Sequence, residues 1–423
     1  MPDEPTELPD IEDYRRQARE WLAANLERRD PGARDRLRGI DHKTVEGIAE
    51  ERVLQRRLYE AGYAGITWPG EYGGQGLTAG HQAAFDEEAA GYRLPDFGVA
   101  GGTTMMICAP TMLAHAAPAF LRRHIPRILA GEELWAQFFS EPGAGSDLAG
   151  ITTRASRDGD RWILSGSKVW SSGAYYADYG MCLARTDWDV PKHRGLTWFA
   201  VPVDAPGVTV QPIREINGDA EFCQEFFDDV ELGDDDVIGE VNQGWSVAQT
   251  MLVFERGAGR EDPVRREGPG LLAPDLVASA RRLGRDQDPY VRQLIARAHT
   301  NDFVAAQLAL RVSGLIRRGG RASTGLASYG KLARGTFDAL RARLGMEIGG
   351  AGALVWEPGD IDGQTAAVKY LNGRELAIAG GTNEMQRNGI GERVLGLPKE
   401  PRFDLDVPFR EVVRKAKSWS ERQ

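Results

Sequence analysis

Glu255 falls on the same face of a helical period as Trp245, Ala248, Met251 and Leu252, so its carboxylate points where apolar side chains point. A carboxylate so placed is either paired with an arginine of the fold or is a desolvated base. Arg256 follows about 100° farther round the helix and is not an automatic partner. A second set of reactive types lies earlier, in Gln137-Phe138-Phe139-Ser140-Glu141-Pro142-Gly143-Ala144-Gly145-Ser146-Asp147. Trp135 to Phe139 reads as a short buried strand that Glu141-Pro142-Gly143 must end, because proline fixes φ and lacks an amide hydrogen. Gly143 and Gly145 bracket only Ala144, so the backbone can approach a flat or anionic ligand while Ser140 and Ser146 donate to it. The alternative is an ordinary glycine turn.

Two further stretches are of the same kind. In Lys168-Val169-Trp170-Ser171-Ser172-Gly173-Ala174 an indole precedes two hydroxyls. It is either a strand-end aromatic of the core or a ring laid beside a planar cofactor, with donors on its polar edge. In Ala379-Gly380-Gly381-Thr382-Asn383-Glu384 the threonine can cap a following helix, whose free amides favour phosphate or flavin. A plain corner between helices has the same composition.

Composition bounds what these residues serve. A chain of 423 residues exceeds one compact core, so two or three packed regions are expected. At 42% hydrophobic and 27% charged, it has the balance of an ordinary globular protein, and no apolar run nears the ~18 residues that span a bilayer. A formal charge of -10 disfavours nucleic acid. The acidic start (Asp3, Glu4, Glu7, Asp10) lacks an apolar signal core, which makes the cytoplasm the expected compartment. Cys108, Cys182 and Cys223 are far apart and suit a reduced core, and the six histidines have no metal-ligand spacing.

The elements that must position these residues follow in three blocks. Residues 11 to 130 are predicted helical, with Tyr14, Ala18, Trp21, Leu22 and Leu26 close to a 3.6 period, and a turn-rich loop runs from Gly65 to Gly76. From about Glu133 the period becomes two. Strands are expected at 152–156 and 161–165, joined through Asp158-Gly159, then at 180–185, 196–203, 208–213 and 222–230, forming a small antiparallel barrel or sandwich. After Gly244 helices return to Leu395, with 290–316 the longest. Breakers and charges over 257–270 predict a mobile surface loop, and the charged tail from Pro401 is expected to be peripheral.

The Ser-Glu-Pro-Gly-Ala-Gly-Ser-Asp run resembles the signature of the acyl-CoA dehydrogenase family, and the Trp170-Ser171-Ser172 stretch is similar to that family's flavin contact. The likeness covers roughly residues 11 to 398. It implies an α+β fold with an N-terminal helical domain (1–132), a middle antiparallel β barrel or sandwich (133–240), a C-terminal four-helix bundle (241–398) and a tail (399–423). FAD would lie between the last two domains. The resemblance implies cofactor contacts from Phe139, Ser140, Gly145, Ser146, Trp170, Ser171, Ser172, Thr382, Asn383 and Glu384. It places Ser146, Arg256 and Gly380 at the substrate.

Many members carry the catalytic glutamate in Tyr-Glu-Gly-Thr, where this chain has Ala379-Gly380-Gly381-Thr382. A minority, resembling isovaleryl-CoA and long-chain dehydrogenases, place it in a Leu-Glu-Arg context, matched by Phe254-Glu255-Arg256. The resemblance therefore implies FAD-dependent α,β-dehydrogenation of an acyl-CoA thioester, with Glu255 as base and an electron-transfer flavoprotein as acceptor. The missing side chain at Gly380 implies room for a branched or polycyclic acyl group. Two departures stand out: Ala280 to Asp286 has no Arg-x-x-Phe-Gly stretch, and Met346 replaces a glutamine. They suggest that the adenine end of FAD is held differently or by another chain, in a homo- or hetero-oligomer such as the actinobacterial enzymes that oxidise steroid side-chain thioesters. A flavin oxidase or monooxygenase on the same fold, or a half-catalytic subunit, remains the alternative.

Overall fold

The computed structural model describes residues 8–30, 37, 42–256, 273–318, 323–357, 359–402 and 404–420. The expected loop at 257–270 lies outside them.

Helices fill the first block: α1 Ile11–Asn25, α2 Val45–Glu60, α3 Ala79–Ala89, α4 Gly98–Thr103, α5 Ala109–His115 and α6 Pro118–Leu129. Side-chain caps fix their starts. Asp10 accepts the amides of Glu12 and Asp13, and Thr44 accepts that of Gly47. The predicted face of α1 is the buried one, through Tyr14, Ala18 and Leu22. Between α4 and α5 the helix widens into a π turn over Thr104–Cys108, a feature that often marks functional sites.

The middle block is an eight-stranded sheet: β1 Trp135–Phe138, β2 Arg154–Asp158, β3 Arg161–Ser172, β4 Tyr179–Arg185, β5 Leu196–Pro202, β6 Val208–Pro212, β7 Phe222–Leu232 and β8 Val237–Ile238. Its order is β6-β7-β3-β2-β4-β5-β8, with β1 joined to β4. The β2–β3 hairpin turns at Gly159, whose φ of +61° suits a tight connection. Most pairings are antiparallel; β1–β4 and β2–β4 are parallel.

One core joins the first two blocks, with Met112, Ile125 and Leu129 from the helices and Trp135, Leu196 and Trp198 from the sheet. Helix α7, Gly244–Glu255, adds Val247, Ala248 and Met251 to that same core. Its first turn is pressed onto β5, where a Cβ at Gly244 would meet the Leu196 carbonyl oxygen at 2.7 Å and Trp198 Nε1 donates to the Gly244 carbonyl at 2.8 Å.

The remaining helices are α8 Pro274–Arg282, α9 Pro289–Arg317, α10 Ser323–Gly349, α11 Ile361–Asn372 and α12 Asn383–Arg393. Helix α10 is central and packs on α9, α11 and α12. The tail does more than skirt the surface. Its helix α13, Phe409–Ser420, buries Phe409 against Arg185, with the guanidinium carbon 3.9 Å from the ring centroid.

Candidate active site

Two of the sequence stretches form one surface. Val169 donates its amide to the Ser140 carbonyl at 2.9 Å, which stitches the Ser140–Asp147 turn to the end of β3. Below that junction Lys168 and Glu141 form a buried pair, with Nζ 3.0 Å from Oε1 and also donating to the Phe139 carbonyl at 3.0 Å. Glu141 further accepts the amides of Thr152 and Thr153 at 2.7 and 2.8 Å. Burial alone would raise its carboxyl, but Lys168 and these donors outweigh burial and leave it below its ordinary range. The turn is tied down at its far end too: Lys192 binds Asp147 at 2.7 Å and Asp404 of the tail, and Arg185 donates to the Ala149 carbonyl at 2.6 Å.

On this frame Trp170 is thrust outward. The ladder between β3 and β7 slips between Val169 and Ser171, and Trp170 takes a φ of +69°, costly for any residue with a large side chain. Its indole is 58% exposed and meets the Phe222 ring edge-on, so it is not a core aromatic. The glycines of the facing turn are equally open, since a Cβ at Gly143 or Gly145 would touch nothing within 4 Å. A flat exposed ring, an open glycine cradle and the accessible residues Ser140, Ser146 and Ser172 fit the edge of a planar cofactor.

Three of the expected contact residues turn their side chains elsewhere. The Ser171 hydroxyl is buried and donates to Glu225 Oε2 at 2.8 Å, because the strand alternation turns it away from Trp170. The Phe139 ring lies in the core 5.1 Å from Trp198, and its carbonyl holds Lys168. The side chain of Asn383 turns inward to α10, where it donates to the Gly335 carbonyl at 3.3 Å. Thr382 caps α12 by accepting the Met385 amide at 3.2 Å, while Glu384 stays exposed and pairs with Arg387.

Glu255 closes α7 and forms no ion pair among the described residues. Burial raises its carboxyl, opposed by Arg256 and Lys331. Its charge in turn helps burial raise the Cys108 thiol in the π turn, which sits 3.9 Å from the Ala136 carbonyl of β1. The carboxylate thus lies between the first core and the 376–382 turn. Gly380 faces it: a Cβ there would stand 3.6 Å from Glu255 Oε1 and 3.2 Å from Lys331 Cε. The room expected at Gly380 for an acyl group is therefore narrowed by Lys331. Arg256 lies alongside Gly381, with Nη2 3.8 Å from that residue's ideal Cβ, and its buried Nε has no hydrogen-bond partner among the described residues.

Several residues of the site had no readable signal. Gln386, 2% exposed, donates to the carbonyls of Gly380 and Gly381 at 3.2 and 3.1 Å and so shapes the turn. Lys331 and Glu225 looked like ordinary charged positions of a helix and a strand. Arg285, from the stretch lacking the familiar motif, holds the Ile348 carbonyl and packs on Gly350, whose φ is +60°. Among the described residues no cluster of histidine, cysteine and carboxylate could hold a metal.

Comparison with known proteins identifies the three blocks of the chain. Residues 9–132, 136–230 and 242–395 match the N-terminal, middle and C-terminal domains of acyl-CoA dehydrogenase. The chain is 38% identical over 400 residues to the acyl-CoA dehydrogenase IpdE1 of Mycobacterium tuberculosis, covering 93% of this chain and 99% of that one. Among solved structures it superposes on the Tcur3481-Tcur3483 steroid ACAD with a TM-score of 0.72 at 29% identity, over 93% of this chain and 100% of the other. On the ChsE4-ChsE5 complex of Mycobacterium tuberculosis the TM-score is 0.67 at 27% identity, over 94% and 100%. With all three of its domains matched and a relative 38% identical along nearly the whole chain, the chain belongs to the acyl-CoA dehydrogenase family.

Proposed function

We propose that this chain removes the α and β hydrogens of an acyl-CoA thioester to give the 2-enoyl thioester, with Glu255 taking the α-proton. The observation that carries the reading is the state of Glu255: a carboxylate raised by burial, without an ion-pair partner among the described residues, facing a turn whose glycine carries no competing carboxylate. Loss of an α-proton needs a base whose affinity approaches working pH, and burial supplies it. Protonation then removes a charge that the surroundings solvate poorly, so the proton-loaded form is favoured. Arg256 and Lys331 oppose that tendency.

Members of the family use FAD, and Ser140, Gly145, Ser146, Trp170, Ser172 and Thr382 would hold it here. Bound FAD supplies the hydride acceptor for the β-hydrogen. The residues of the chain fix its edge: the Lys168–Glu141 pair and the Val169–Ser140 bond set the serine turn against the indole. The acyl group is steroid-like and the working unit pairs this chain with a second subunit, a reading supported by likeness to the Tcur3481-Tcur3483 steroid ACAD and the ChsE4-ChsE5 complex. Electrons leave to an electron-transfer flavoprotein. No helix among the described residues is long and apolar enough to cross a membrane, and we place the enzyme in the cytoplasm.

Anaerobic mixing of the FAD-loaded protein with a panel of acyl-CoA thioesters tests this. Steroid side-chain thioesters bleach the flavin band fastest; bleaching by no thioester, or by short straight chains alone, overturns the assignment.

A further inference from the structure

Lys331 is 3% exposed on α10, and it donates a hydrogen bond to the Leu376 carbonyl. A buried ammonium costs several kcal/mol unless a counter-charge faces it. Two carboxylates do. Asp338, on the same helix, is already faced by Arg334 and Arg341. Glu255 of α7 is the other, and both it and Lys331 lie within 4 Å of the point where a Gly380 Cβ would stand. Any side chain there would be wedged between them, and the φ of +65° also favours glycine.

The two groups are nonetheless not in ion-pair contact. That separation matters. A direct bridge would occupy the oxygens that must receive a proton, whereas a cation one step away steadies the charge and leaves them free. The other groups facing Glu255 are Arg256 on its own helix and the Cys108 thiol of the π turn. Those facing Lys331 are Arg334 and Asp338 on α10 and Arg256 on α7, while Arg393 of α12 acts on Arg256.

We propose that Lys331 is a positioning residue that holds Glu255 ionised and ready to accept the α-proton, across a gap that only glycine at position 380 leaves open. The proposal rests on Glu255 being the base. Burial accordingly lowers the Lys331 ammonium while the charge of Glu255 supports it.

The test follows the protonation of Glu255 in oxidised holoenzyme by pH-difference infrared spectroscopy, with Glu255→Gln identifying its band, beside the pH profile of flavin reduction. Lys331→Met and Lys331→Gln are compared with Lys331→Arg; the glutamine keeps a donor for the Leu376 carbonyl, so it separates charge from loop support. Removing the charge raises both midpoints by about one unit, and below the midpoint slows reduction about tenfold. Lys331→Arg leaves both in place. Unchanged midpoints in folded, FAD-loaded Lys331→Met and Lys331→Gln overturn the proposal. An infrared midpoint that shifts while Glu255→Gln reduces flavin at the wild-type rate instead overturns the base assignment and leaves the Lys331–Glu255 coupling standing.

Discussion

The amide of Val169 and the carbonyl of Ser140 lie 2.9 Å apart, and through that bond two stretches nearly thirty residues apart in sequence become one surface. The register between β3 and β7 slips at the next residue, between Val169 and Ser171, where the Trp170 indole leaves the sheet. Beneath it Lys168 and Glu141 are almost completely enclosed, at 0% and 6% side-chain exposure.

Glu141→Gln should therefore damage the cofactor edge from below. Removing one partner leaves the Lys168 ammonium buried and short of a counter-charge, at a cost of about 3–5 kcal/mol. Thermal unfolding checks the stability, and FAD titration the consequence, since the Ser140 turn loses its anchor. A variant as stable as wild type with unchanged FAD affinity contradicts the clamp.

Trp170 has a different signature. Trp170→Gly relieves a positive φ and removes a largely exposed ring, so the FAD-free protein should unfold within about 1 kcal/mol of wild type. FAD affinity should fall by at least about tenfold, the loss of one aromatic contact. Strong destabilisation with normal affinity would make the indole a structural residue.

Glu225 gives a pH dependence of stability. It is fully buried, and burial pushes its carboxyl up to about 8, against an ordinary value of 4.5. The folded state binds this proton more tightly than the unfolded chain does. Its contribution is therefore complete below about pH 4.5 and is lost as pH rises through about 8. Glu225→Gln, neutral throughout, should gain on wild type between about pH 5 and about pH 9 in paired melting curves. A constant difference across that range would show that Glu225 is already ionised in the fold.

Much of the architecture was readable because local pattern and tertiary burial agree. The α1 face, the Asp158-Gly159 hairpin and the Thr382 cap each follow from a period or a turn residue, and each is where the pattern puts it. Parallel pairing of β1 and β2 with β4 was not readable, since it depends on which distant strands meet. Ser171 and Ser172 are identical in type and differ only in which side of a bulged strand they occupy, so their separation needed the ladder slip at Trp170. Lys331 was hidden for a related reason: 76 residues separate it from Glu255, and nothing in a helical period marks a lysine as buried.

The central claim is that Glu255 takes the α-proton, and stopped-flow flavin reduction by a thioester substrate in Glu255→Gln tests it most directly. The glutamine keeps the shape of the side chain and removes the proton acceptor, so FAD and thioester should still bind while reduction slows by about 10² to 10⁴. Reduction at a near-normal rate in stable, FAD-loaded Glu255→Gln protein would contradict it.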